Sequence, residues 1–163
     1  MEHLWAPWRM EFIKAPKATG CFFCEAAAAD PSDDANHLVL ARSDLGLVML
    51  NRYPYNNGHL LIAPIAHLAN LEDLPAATAN DVTALTQRSL RVLRQVLSPH
   101  GFNLGINAGK VAGAGVADHV HQHVVPRWDG DTNFMPAVAD TKVLNESLTA
   151  SYQQLRAGFD QLS

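Results

Sequence analysis

The stretch that decides the reading of this chain is Asp118-His119-Val120-His121-Gln122-His123-Val124-Val125-Pro126. Its histidines alternate with Val120, Gln122 and Val124, which is the two-residue period of a β-strand, and side chains at i, i+2 and i+4 of a strand share one face. Successive imidazoles on that face stand ~6.5–7 Å apart along the chain. A row of rings at that pitch can flank a phosphate, one ring attacking phosphorus while its neighbour donates to a non-bridging oxygen. Imidazole suits the attack because it is substantially unprotonated near neutral pH. The glycine-rich segment Gly109-Lys110-Val111-Ala112-Gly113-Ala114-Gly115 lies immediately upstream, where backbone N–H groups can meet the same anion. The rival reading of the three rings is a site in which all of them bind metal.

Outward from this strand, Leu38–Arg42, Leu47–Asn51 and His59–Ala63 are short runs rich in Leu, Val and Ile. The last two are separated by Arg52-Tyr53-Pro54-Tyr55-Asn56-Asn57-Gly58, whose proline and Asn-Asn-Gly predict a hairpin turn. Val82, Leu85, Ser89, Leu90, Leu93, Val96 and Leu97 recur at helical steps. Pro75 suits the start of that helix, and Pro99 with Gly101 ends it. Phe102–Asn107 is the next strand, and Pro126 is expected to close the histidine strand. Leu144, Leu148, Tyr152, Leu155, Phe159 and Leu162 predict a last helix near 142–161. Cys21-Phe22-Phe23-Cys24 reads as a tight knuckle, and Asp30-Pro31-Ser32-Asp33-Asp34 as a loop. The sum is an α+β fold with a mainly antiparallel sheet of about five strands and two main helices. A single domain over 1–163 is expected, with an irregular arm at 1–20, whose Trp5 and Trp8 should pack onto something rather than stay in water, and a C-terminal helix and tail at 142–163.

With 163 residues, 48% of them hydrophobic and 17% charged, the chain has the composition of an ordinary globule. A net charge of −4 leaves no basic footprint for a nucleic-acid polymer, but a small anionic ligand needs only local donors. No apolar run reaches the ~20 residues that span a bilayer, so no membrane partner is expected. Met1-Glu2-His3-Leu4-Trp5 has an early acid and no apolar core, so a secretory signal is not expected and the cytoplasm is the expected compartment. In a reducing compartment a Cys-x-x-Cys pair points to metal or redox chemistry rather than to a bridge. A structural zinc needs four ligands. His67 and His119 are the favoured partners of Cys21 and Cys24, with His3, His37, His59 and His100 left open by spacing alone.

The pattern His-Val-His-Gln-His-Val-Val, with Gln122 in one of the apolar places, resembles the histidine-triad (HIT) superfamily of nucleotidyl transferases and hydrolases. The resemblance covers nearly the whole chain. Leu50–Pro64 is similar to that family's nucleoside-binding hairpin. Trp5-Ala6-Pro7-Trp8-Arg9, His100-Gly101-Phe102-Asn103 and Val125-Pro126-Arg127-Trp128 are similar to its Fhit-like branch, which includes bacterial diadenosine tetraphosphate phosphorylases and hydrolases. The resemblance implies an enzyme that cleaves dinucleoside polyphosphates or related nucleotidyl compounds, by phosphorolysis or hydrolysis. It implies His121 as the nucleophile that carries the nucleotidyl group, His123 on the phosphate oxygens, and the His119 carbonyl orienting the ring of His121. It further implies Asn107 at the phosphate or leaving group, Asn51 at the ribose with His59 near that pocket, and Gly113 and Gly115 presenting backbone to the substrate. Cys21, Cys24, His67 and His119 would hold a structural zinc, and two copies would join their sheets as a homodimer. Relatives often place Ser, Thr or Gln just before the triad. Here Gly113-Ala114-Gly115-Val116-Ala117-Asp118 has no such hydroxyl or amide, and the loop is one residue longer than in Fhit. The alternative function is a nucleotide-binding regulatory module with little turnover.

Overall fold

The computed structural model describes residues 20–132 and 146–162. Trp5, Trp8 and the rest of the N-terminal arm lie outside the described residues, as do 142–145 of the expected last helix. In chain order the described elements are α1 (Phe22–Ala28), α2 (Asp34–His37), β1 (Val39–Arg42), β2 (Gly46–Leu50), β3 (Leu60–Pro64), α3 (Ala76–Leu97), β4 (Gly101–Ile106), β5 (Gln122–Arg127) and α4 (Leu148–Gln161). The strands form one antiparallel sheet in the order β1-β2-β3-β5-β4. The fold is α+β, as expected, with two long helices and two short ones among the described residues.

Alternation along the strands sorts side chains to two faces. Val48, Leu50, Leu60, Ile62 and Val124 point to one, where they pack with Leu85, Val92 and Leu93 of α3 and Leu155 and Phe159 of α4. Leu47, Met49, Leu61 and Ala63 point to the other, where they meet Phe23 and Ala26 of α1. Because both faces are covered, β2 and β3 read as unbroken apolar runs rather than alternating ones. Each large side chain buried this way stabilises the fold by about 1.5–3 kcal/mol.

Two glycines are required by close approach. Gly58 has φ +72° and any Cβ there would stand 2.5 Å from Leu97 Cδ1, so it both closes the β2–β3 turn and admits the end of α3. A Cβ at Gly158 would lie 2.6 Å from Val96 Cγ2, so this residue lets α4 lie against α3.

Four local expectations are corrected. The Cys21–Cys24 knuckle is the start of α1, with Cys21 at its N-cap and Cys24 in its first turn. The acidic loop is a 3-10 turn over Pro31–Asp33 leading into α2, with the Asp30 carboxylate accepting from the Ser32 N–H. Pro126 does not close its strand but lies inside β5, paired with Phe102. Pairing of β5 with β3 stops at Val124, so no ladder bond on that side is lost to the missing N–H. The Pro126 carbonyl instead accepts from Asn56 Nδ2 at 3.0 Å. Finally, the three histidines do not all lie on a regular strand, because β5 begins at Gln122. Upstream of it the Pro64 carbonyl is 2.9 Å from the His119 ring nitrogen Nε2, and the Val120 N–H donates to Leu68 O. A side chain and a loop take the groups that a ladder would have used.

Candidate active site

β5 pairs Leu61 with His123 and Gly105 with His123, which sets His123 on the face away from the two long helices. Gly105 puts no side chain beside it, and a Cβ there would meet nothing within 4 Å. The rings of His121 and His123 lie 5.0 Å apart. The Phe23 ring, fully buried, lies 5.0 Å from the ring of His119 and 4.9 Å from that of His121. One aromatic side chain of α1 is therefore the back wall of two of the three histidines.

His119 and His121 are both buried, and each donates one N–H to a backbone carbonyl. His119 uses Nε2, toward Pro64 O at 2.9 Å, and His121 uses Nδ1, toward His119 O at 2.8 Å. A carbonyl accepts and never donates, so His119 keeps its lone pair on Nδ1 and His121 keeps its lone pair on Nε2. Burial pushes the pKa of both rings below the ordinary histidine value, partly offset in each by the bond to the carbonyl. The neutral ring, with an available lone pair, is the favoured state.

The Nδ1 lone pair of His119 faces two thiols. Cys21 Sγ is 3.2 Å and Cys24 Sγ 3.6 Å from it, and Cys24 Sγ is 3.2 Å from His67 Nδ1. The ligating atoms of Cys21, Cys24, His67 and His119 all lie within 4.8 Å of one another. Zinc bond lengths to sulfur and nitrogen put tetrahedral S–N edges at roughly 3.5 Å. The cluster therefore has the donor set and the spacing of a tetrahedral site, and the carbonyl of Pro64 supplies the outer partner that orients His119. Burial, then the neighbouring Cys21, raises the Cys24 thiol pKa; a divalent cation reverses that preference. Arg42 holds the helix that carries the pair, donating to the carbonyls of Ala26 (2.7 Å) and Ala27 (3.3 Å) while paired with the buried Asp34.

His59 is wholly enclosed at 0% exposure. Its Nδ1 accepts from the Tyr55 N–H at 3.0 Å and lies 3.1 Å from Asn51 Nδ2, and its Nε2 lies 2.9 Å from His123 Nδ1. Asn51 Oδ1 accepts from the Tyr53 N–H at 2.9 Å. The Tyr55 ring lies 4.7 Å from His59 and stacks on His123 at 5.9 Å. The structure thus brings Asn51, His59, His121 and His123 into one connected group. The glycine-rich loop is held separately: Asn107 Nδ2 donates to Gly113 O at 3.4 Å, Gly113 has φ +88°, and Gly113 and Gly115 are exposed. Sequence reasoning missed Phe23 and Tyr55, because neither occupies a spacing that sets it apart from packing residues.

A histidine cluster of this geometry, on a sheet of this topology, defines a class, and the HIT domain family model matches residues 33–130. The chain belongs to the HIT domain family. It is 39% identical over 154 residues to the AP-4-A phosphorylase of Mycobacterium tuberculosis, covering 91% of this chain and 79% of that one. It is 31% identical to the asymmetrical bis(5'-nucleosyl)-tetraphosphatase of Schizosaccharomyces pombe, over 69% of this chain and 62% of that one. Among solved structures it is similar to a zinc-bound histidine triad family protein from Mycobacterium smegmatis, with a TM-score of 0.69, 32% identity, and coverage of 88% of this chain and 95% of that one. Among the described residues no helix is long and apolar enough to cross a membrane.

Proposed function

We propose that the protein cleaves dinucleoside polyphosphates such as diadenosine tetraphosphate through a nucleotidyl group carried on His121. The observation that carries this reading is the bond from His121 Nδ1 to the His119 carbonyl, 2.8 Å long, which leaves the Nε2 lone pair for attack. Nε2 forms a bond to phosphorus while the bridging P–O bond breaks and its electron pair leaves with the departing polyphosphate. In the second displacement an incoming oxygen, from phosphate or from water, takes the nucleotidyl group and the P–N bond breaks. His123 supports the charge on the phosphoryl oxygens, and Asn107, Gly113 and Gly115 stand as donors for the phosphate chain. Asn51 is the proposed ribose contact; its amide retains an acceptor lone pair and an N–H beyond its bonds to Tyr53 and His59. The names of the two enzyme relatives support the substrate class.

Cys21, Cys24, His67 and His119 hold a structural zinc in this reading, which cross-links α1 to the entry of the histidine stretch. The protein forms a homodimer through β4, an edge strand with Leu104 exposed. It resides in the cytoplasm, where Cys21 and Cys24, which form no disulfide, stay reduced and able to ligate the metal.

The test is turnover of diadenosine tetraphosphate with and without inorganic phosphate. ADP formed only when phosphate is present establishes phosphorolysis, and AMP formed without it establishes hydrolysis. Nucleotide binding with negligible turnover in both arms overturns the enzymatic reading.

A further inference from the structure

We infer that His59 is a positioning residue that fixes the tautomer of His123, making His123 a hydrogen-bond donor through Nε2. The inference rests on the proposed role of His123 at the phosphoryl oxygens, and it comes from following protons along a chain of short contacts. Two N–H groups converge on His59 Nδ1: the Tyr55 backbone amide at 3.0 Å and Asn51 Nδ2 at 3.1 Å. The Asn51 amide is oriented by its Oδ1, which accepts from the Tyr53 N–H, so its nitrogen end faces His59. A nitrogen that accepts from two donors carries no proton. The proton of neutral His59 is therefore on Nε2, and it is donated to His123 Nδ1 at 2.9 Å. With Nδ1 occupied as an acceptor, neutral His123 carries its own proton on Nε2.

His59 is fully buried, and Tyr55 packs on both rings while its backbone supplies the first donor. The origin of the chain is a peptide N–H in the β2–β3 turn, which does not titrate. His121 and His123 are thus held as opposite tautomers: His121 offers a lone pair at Nε2, and His123 offers an N–H at Nε2. The first suits an electron-poor phosphorus and the second an electron-rich phosphoryl oxygen, and the division costs no reorganisation when substrate arrives.

The test uses full-length protein labelled with 15N in its histidine rings, read by long-range proton–nitrogen correlation, together with steady-state kinetics on diadenosine tetraphosphate. The wild type shows His123 as a single tautomer protonated on Nε2, and a His123 proton found on Nδ1 overturns the inference without any variant being made. His59→Gln retains an acceptor for Tyr55 and a donor for His123; it is expected to keep the His123 tautomer and most of kcat. His59→Leu removes both, and is expected to show mixed His123 tautomers and a kcat lowered about tenfold or more with little change in KM. An unchanged His123 tautomer in folded His59→Leu also overturns it. The covalent intermediate on His121 is assayed separately. A correct tautomer pattern with no intermediate leaves the relay standing and removes the functional reading, whereas an intermediate with His123 protonated on Nδ1 does the reverse.

Discussion

His119 and His121 are two residues apart, both buried, and packed against the same Phe23 ring, yet their rings present opposite nitrogens. The difference lies in which nitrogen meets a carbonyl. His119 gives up Nε2 to Pro64 and points its lone pair at two thiols; His121 gives up Nδ1 to the carbonyl of His119 itself and keeps its lone pair on Nε2. Residue type and the Phe23 wall are shared, so the backbone acceptor is what sets which ring nitrogen keeps its lone pair, toward the thiols in His119 and at Nε2 in His121. The same carbonyl links the two halves, because the residue anchored in the Cys-His cluster is the one that orients its neighbour.

Breaking one half at a time tests that comparison. The largest effect is expected from His121→Asn, which removes the nitrogen proposed to attack phosphorus. Its turnover should fall by at least about 10,000-fold with metal content unchanged, as read by steady-state assay and elemental analysis. Near-normal turnover in this variant would sink the assignment.

Cys24→Ala breaks the other half. Metal content should fall from about one ion per chain to nearly none, and the melting temperature by on the order of 10 °C. The fraction that remains folded should still trap a nucleotidyl group on His121, since a backbone carbonyl, not the metal, holds its proton. Chelation of the wild type should reproduce the same melting shift, and the idea fails if chelator leaves it unmoved.

Phe23→Ala should reach both halves at once. Deleting a fully buried aromatic costs about 3–5 kcal/mol of stability, measurable by urea denaturation. Both metal affinity and turnover should fall, because the ring backs His119 and His121 alike; loss of one without the other would separate the halves.

The smallest effect sharpens the comparison as a control. Asn56 holds the Pro126 carbonyl and Asp131 at the far end of β5. Asn56→Ala should cost about 1–3 kcal/mol and a few degrees of melting temperature, with metal content kept at the wild-type level.

Much of the architecture was legible because it follows from local rules. The hairpin at Arg52–Gly58 was readable from its turn residues, and α3 from a stripe that begins near Pro75 and ends before Pro99. Misreadings fell where tertiary partners override local preference. Pro126 looked like a terminator because a strand residue normally needs its N–H, and only the end of β3 pairing, with Asn56 supplied from a distant turn, makes it harmless. The Cys-x-x-Cys segment looked like a knuckle, but its helix is held from outside by Arg42.

From the sequence by itself came the alternation that marks the histidine stretch, the family pattern and, through that resemblance, the nomination of Cys21, Cys24, His67 and His119 as one ligand set, and the order of the strands and the two long helices along the chain. The alternation and the element order depend on residue type and spacing, which a linear string contains, whereas spacing alone left the two histidine ligands open. Only the tertiary structure decided which nitrogen of each histidine bears the proton. Three identical side chains on one short segment differ through Pro64, His59 and the His119 carbonyl. Pro64, the last residue of β3, and His59, just before its first, are distant in sequence from the histidine stretch, and no spacing rule can say which ring nitrogen an acceptor will meet.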